Sequence, residues 1–185
     1  MTEYTLPAPR EMNLIQPRDT AFRGAYVRLV ETHSQRLFRY LDRAGGDPEL
    51  ARDLTQEVFL RLYKRGALPD ETGAWLITVA MNLLRNEKSK RARRNRLMTP
   101  ERAKHAHSDP EPSPMSASGS ESGLVRAALS TLPTREQDLL LLRAEGYAYR
   151  ELAEAVGVAE ASVGTLLARA KQRFLEAYQE ARHAR

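Results

Sequence analysis

Four groups of side chains in this chain have the types and spacing to do chemistry, and in each case the chemistry is binding rather than bond-making. Asp53, Gln56, Glu57 and Leu60 recur at i, i+3, i+4 and i+7, so on a helix they share one face. Two carboxylates on one face suit a basic partner helix. The alternative is a solvated acidic face closed by internal ion pairs, which contribute little to stability. Thr78, Met81, Asn82, Arg85 and Ser89 gather on one side of a later helix, opposite a broad arc of Trp75, Leu76, Val79, Ala80, Leu83 and Leu84. From Arg85 to Arg96 there are seven lysines and arginines against the single acid Glu87, a local charge of +6. Lys88, Lys90, Arg91, Arg93 and Arg94 are the right types to hold phosphates, which gives affinity and salt sensitivity without sequence choice. A basic run can equally be a solvated face or a frayed helix end.

The fourth group lies in Gly146–Phe174, read as a short helix over Arg150–Val156, a turn at Gly157 and a longer second helix. Glycine there closes a helix in the left-handed conformation. Val163, Leu167, Ala170 and Phe174 then mark one apolar stripe. This is the helix-turn-helix pattern, whose second helix enters the DNA major groove; an ordinary helical hairpin is the competing reading. Opposite the stripe lie Ala161, Thr165, Ala168, Arg169 and Gln172, with Lys171 and Arg173 at the flanks.

The elements that must position these groups are all helical. Residues 1–20 read as a flexible arm broken by Pro7, Pro9 and Pro17. Apolar spacing from Ala21 to Leu41 predicts one or two helices before Gly45-Gly46, and Asp47-Pro48 starts another that runs to about Arg65. After a loop over Gly66–Gly73, a long helix begins near Ala74 and continues past Arg91. No period-two strand pattern appears, so the expected class is all-α. Residues 98–123 change character, with Pro100, Pro110, Pro112, Pro114 and serines in place of large apolar residues. That is linker composition, and it separates a first domain over residues 21–97 from a second over residues 124–180. As a flexible coil, Thr99–Gly123 has a root-mean-square span of roughly 25–30 Å.

Composition narrows the function classes. The 185 residues carry a net charge of +5, which favours a polyanionic partner, and contain no cysteine, which rules out disulfides, thiolate metal ligands and a thiol nucleophile. No signal-peptide core and no membrane-length apolar run is visible, so a soluble cytoplasmic protein is expected. His105 and His107 lack a third ligand at useful spacing, and no phosphate-cradling loop, nucleophile elbow or metalloprotease motif occurs. No cofactor, no metal and no enzymatic activity of the chain itself are expected.

Asp53-Leu54-Thr55-Gln56-Glu57-Val58-Phe59 resembles the D-L-x-Q-E-x-F signature of bacterial sigma factors of the sigma-70 family. Ala74-Trp75-Leu76 with Ala80-Met81-Asn82-Leu83 resembles that family's A-W-L…A-x-N-x segment. Leu132-Pro133, Glu151-Leu152-Ala153 and Ser162-Val163 resemble its C-terminal promoter-binding domain. Order, spacing and linker are similar to the short extracytoplasmic-function (ECF) type. The resemblance implies a dissociable specificity subunit of core RNA polymerase. Asp53, Gln56, Glu57 and Leu60 would then meet the β′ coiled coil, and Thr78, Asn82 and Arg85 would face the −10 promoter element. An asparagine can pair with the edge of an unstacked base. Lys88, Arg91 and Arg94 would hold DNA phosphates. Thr165, Arg169, Lys171 and Arg173 would contact the −35 element, with the β flap and an anti-sigma factor as further partners of the type. The chain departs from the family where relatives commonly carry basic residues in the recognition helix and it has Gly164 and Leu166. A stand-alone helix-turn-helix regulator is the alternative function, and a helical adaptor binding another protein is a third.

Overall fold

The computed structural model describes residues 20–97 and 121–183, which form seven helices and no strand. They are α1 Thr20–Gly45, α2 Pro48–Arg65, α3 Thr72–Leu97, α4 Glu121–Ser130, α5 Thr134–Ala144, α6 Tyr149–Val156 and α7 Glu160–His183. The arm and most of the linker stretch, with His105 and His107, lie outside the described residues.

Local chemistry sets the boundaries. The Asp47 carboxylate accepts the Leu50 N–H at 3.1 Å and Pro48 fills the first turn, so α2 starts where its cap dictates. It stops at Gly66, whose φ of 69° lets the N–H reach the Leu62 and Tyr63 carbonyls. Helix α3 begins at Thr72, two residues before the sequence reading. The Thr72 hydroxyl donates to the Pro69 carbonyl at 2.6 Å and the Trp75 N–H to the Glu71 carbonyl at 3.0 Å, which winds the turn early. Glu121–Gly123, read as linker, are the first turn of α4, where the Glu121 carboxylate meets the positive end of the helix dipole. Apolar spacing left one or two helices open before Gly45; there is one.

Helices α1–α3 form a first unit around Leu37, Leu41, Val58, Leu62, Leu76, Ile77 and Ala80, all essentially unexposed. The Tyr26 hydroxyl donates to the Phe59 carbonyl at 3.3 Å, and its ring meets Tyr63 edge-on at 5.4 Å, tying α1 to α2. Helices α4–α7 form a second unit around Leu139, Leu142, Leu152 and Val163. The two units then pack on each other, α1 against α5 and α3 against α6, so that their cores join. Met81 is where this shows in the sequence. Helical geometry placed it on the polar side of α3, yet it is 8 % exposed, because it faces the second unit across the seam. Trp75 packs against the core, as its position on the apolar arc requires.

Candidate nucleic-acid interface

The structure brings the acidic row together on the outer side of α2. Asp53, Gln56 and Leu60 are exposed and Glu57 is half-buried, while Leu54, Val58 and Leu62 face inward. Leu60, at 41 % exposure, is among the few large apolar side chains presented to solvent. Glu57 accepts from Arg61 Nε at 2.8 Å, and this hydrogen bond holds its carboxyl below the usual carboxylate range. Asp53 makes no such pairing within the row, so the stripe keeps a negative pole next to an exposed leucine.

On α3 the polar face divides. Asn82 and Arg85 are exposed, and Arg85 donates to the Asn82 side-chain oxygen at 3.3 Å, which leaves the Asn82 amide N–H groups facing outward work. The Thr78 hydroxyl donates back to the Ala74 carbonyl at 2.9 Å and is only partly exposed, so its donor is already used. Every residue from Lys88 to Arg96 is exposed, and Lys90 is paired with Glu87 at 2.6 Å. Lys88, Arg91 and Arg94 stand on the solvent side of the same helix end.

The helix-turn-helix forms as read. Helix α6 ends at Gly157 with φ 68°, and α7 buries Val163, Leu167 and Ala170. At the start of α6 the Glu151 carboxylate accepts the Ala148 N–H at 2.8 Å. Ala161, Thr165, Ala168, Arg169, Lys171 and Gln172 are exposed on the outward arc and its edge. Arg173 is exposed as well, and it also pairs with the largely buried Glu136 carboxylate of α5 at 2.7 Å, which ties α7 to α5. Gln172 is engaged with Glu176 at 3.0 Å. Gly164 has no conformational need of glycine: its φ is negative, and an added methyl would meet only the Tyr149 ring, at 3.7 Å. Gly164→Ala is therefore expected to raise the unfolding free energy by about 0.5–1 kcal/mol, measured by urea titration. A loss of stability would mean that Tyr149 cannot give way.

Sequence reasoning missed the seam. Glu145, at the end of α5, is almost wholly buried and is held by Arg39 at 2.6 Å and Arg43 at 2.5 Å, while Arg36 Nε donates to its carbonyl at 2.8 Å. The Tyr40 hydroxyl donates to Asp138 Oδ1 at 2.8 Å. Burial pushes the Asp138 carboxyl up, against the pull of the Tyr40 hydrogen bond and of Lys88 and Arg85. Tyr147 is fully enclosed, with the Arg36 guanidinium 4.0 Å above its ring and His33 stacked at 6.0 Å. Desolvation, helped by Arg36 and opposed by Glu151, lowers the His33 pKa. At the far end Arg150 pairs with Glu71. The spacing of Arg36, Arg39 and Arg43 at i, i+3 and i+7 was visible as one face of α1, but nothing local says which acid it meets. Among the described residues there is no cluster that could hold a metal ion and no helix long and apolar enough to cross a membrane.

Comparison with known proteins assigns both units. The family model "Sigma-70 region 2" matches residues 29–94 and "Sigma-70, region 4" matches residues 122–174. The ECF RNA polymerase sigma factor BldN of Streptomyces coelicolor is 30% identical over 167 residues, covering 87% of this chain and 63% of that protein. The ECF RNA polymerase sigma factor SigE of Mycolicibacterium smegmatis is 28% identical over 160 residues, covering 84% and 62%. The chain thus spans under two thirds of the length of these relatives. Among solved structures, the sigma factor RpoE of Bartonella quintana, in complex with the anti-sigma factor NepR, superposes with a TM-score of 0.60 at 18% identity, covering 85% of this chain and 98% of that one. CnrH, in complex with the cytosolic domain of CnrY, gives a TM-score of 0.59 at 19% identity, covering 85% and 90%. At these identities the structural likeness concerns the fold.

Proposed function

The chain belongs to the sigma-70 family, in its ECF branch, and from that premise we propose that it binds core RNA polymerase, directs it to specific promoters and helps melt the −10 region. The observation that carries the reading is the pairing, on one small unit, of the Asp53/Gln56/Glu57/Leu60 stripe with the basic end of α3. One surface suits a protein partner and the other a polyanion, and a helix-turn-helix follows in the same chain. A regulator acting alone has no use for the first surface. In this reading residues 21–97 dock on the β′ coiled coil and hold the −10 element, and residues 124–180 meet the −35 element and the β flap. Thr78, Asn82 and Arg85 face the melted strand; Lys88, Arg91 and Arg94 hold phosphates; Thr165, Arg169, Lys171 and Arg173 face the −35 duplex. Arg173 also pairs with Glu136 of α5, which helps to fix the angle of α7. Catalysis belongs to the polymerase, the chain works in the cytoplasm, and an anti-sigma factor is a further partner class, as captured for the Bartonella neighbour.

The test is run-off transcription with purified core polymerase and genomic DNA, with and without the chain. Specific transcripts that require the chain support the reading. Promoter binding without polymerase, and no transcript with it, would support the stand-alone regulator. Within the same assay, Asn82→Ala is expected to lower open-complex formation about tenfold while leaving core binding unchanged, since one asparagine–base pairing is lost. Equal permanganate reactivity of the melted region in both proteins would remove Asn82 as a reader.

A further inference from the structure

Where α1 and α3 meet α5 and α6, the packing leaves a cleft of about 690 Å³. Small-molecule sites run to roughly 300–1,000 Å³, with mostly apolar walls and a few placed polar groups. Floor and rim of this cleft differ in chemistry. Tyr40, Met81, Leu84 and Asp138 line it and are each less than a tenth exposed, so they form the floor. Ala155 and Val156 of α6 supply a wall. Arg85, Lys88 and Arg135 line it and are exposed, so they form the rim, as do the hydroxyl-bearing Ser89 and Thr134.

Both floor and rim hold bonding capacity that the fold does not use. Asp138 is 5 % exposed, and the Tyr40 hydroxyl donates to its Oδ1. Its Oδ2 accepts no hydrogen bond among the described residues, whereas buried polar atoms are normally partnered. Lys88 stands within electrostatic reach of that carboxylate yet makes no ion pair among the described residues. Arg135 donates through Nη2 alone, to the Val156 and Gly157 carbonyls, which anchors its guanidinium at the rim with other N–H groups to spare. Arg85 likewise spends one nitrogen on Asn82. Three cations against one acid leave the cleft at +2. A phosphomonoester carries about −1.5 to −2 at neutral pH, the matching charge. A phosphate alone would satisfy only the rim. The free acceptor on the floor calls for an N–H donor carried on an apolar body. A flat ring suits the rest of the floor, since a methionine sulfur makes favourable contacts with aromatic rings.

We propose that this cleft binds a nucleoside monophosphate whose base carries an exocyclic amine. The base enters between Met81, Leu84 and Val156, its amine donates to Asp138 Oδ2, and the phosphate is held at the rim by Arg85, Lys88 and Arg135. An inorganic anion would use the rim alone and leave Asp138 unbonded. Binding does not depend on the promoter reading, but its consequence does. Arg85 and Lys88 cannot hold a nucleotide and promoter DNA at once, so the two ligands exclude each other there.

The test is isothermal titration calorimetry on the full-length chain at physiological salt, without polymerase or DNA. The probes are AMP and GMP, their amine-free counterparts purine riboside monophosphate and inosine monophosphate, and inorganic phosphate. AMP or GMP is expected to fill one site and to bind about tenfold more tightly than its counterpart, with inorganic phosphate weaker still. Lys88→Ala and Arg135→Ala should each weaken the preferred nucleotide about tenfold. Arg182→Ala removes the same charge at an exposed position outside the cleft and should leave binding unchanged. Asp138→Asn keeps an acceptor for Tyr40 and turns a donor towards the cleft, so it should abolish the preference for the amine. If that variant loses helicity, Ala92→Trp decides instead: the residue lines the cleft at an exposed position, and the indole should weaken nucleotide binding at least tenfold by filling the mouth. No saturable binding up to millimolar concentration, or equal affinity within both pairs, would overturn the proposal. So would equal losses in Lys88→Ala and Arg182→Ala, which mark diffuse attraction of anions. Nucleotide binding undiminished in Ala92→Trp would overturn it as well. No readout involves polymerase or promoter, so failure of this site and failure of the promoter reading are distinguishable.

Discussion

Replacing Asp53 and Glu57 together with lysine is expected to weaken binding to core RNA polymerase roughly a hundredfold or more, with little change in helicity. Both side chains lie on the outer side of α2, away from Leu54, Val58 and Leu62, so the substitution does not enter the core. Lysine is a good helix former, which protects α2 itself. The Glu57–Arg61 pair is lost, but an i,i+4 pair at the surface contributes little to stability. Facing a basic partner, however, the double reversal turns two attractions into two repulsions, and like charges placed opposite one another at an interface are strongly disfavoured. Leu60 stays in place to supply apolar contact, so residual binding should strengthen as salt screens the repulsion, whereas wild-type binding should weaken. Titration of the labelled chain with core enzyme, with circular dichroism as control, measures this. Unchanged affinity would remove the stripe from the polymerase interface.

The second large effect concerns promoter choice. With a library randomised separately at the two elements and read by transcription, sequence information should concentrate at the −10 side. Arg169 is the one arginine on the outward arc of α7, flanked by Thr165, Ala168 and the engaged Gln172; Arg173 lies at the flank, paired with Glu136. Arg169 is therefore the best-placed group for a bidentate base contact, and such a contact discriminates by roughly five- to a hundredfold. Arg169→Ala should remove most of the −35 preference that remains. A library showing tight −35 constraint and a free −10 element would mean that threonine and alanine contacts to thymine methyls carry the recognition.

The all-α class, the helix-turn-helix and the acidic and basic faces were legible because each depends on spacing within one helix. Val163, Leu167 and Ala170 are buried where the four-three rhythm put them, and Gly157 and Asp47 mark helix ends by their own chemistry. What was not legible depends on where one helix lies against another. Met81 was assigned to the polar side because helical phase cannot say what covers that side. The Arg173–Glu136 pair was not visible because a cation on a flank looks the same with or without an acid beside it. The linker boundary slipped by a few residues because Glu121-Ser122-Gly123 has linker composition, while a favourable dipole contact and the packing of Leu124 extend the helix over it.

The length of α7 has a mechanical side. Its 24 residues span about 36 Å, so a single stiff rod carries the recognition positions near one end and extends well beyond the helix-turn-helix at the other. Helix α4 packs along that rod, and α4 is where the second unit takes up the chain coming from the first. A pull arriving at Glu121 would therefore reach α7 along the side on which α4 packs. The pitch of the recognition end in the groove would then be steered by the direction in which the tether leaves. If α7 reads the −35 element as proposed, such a lever would sense the spacing between promoter elements as an angle before sensing it as a distance.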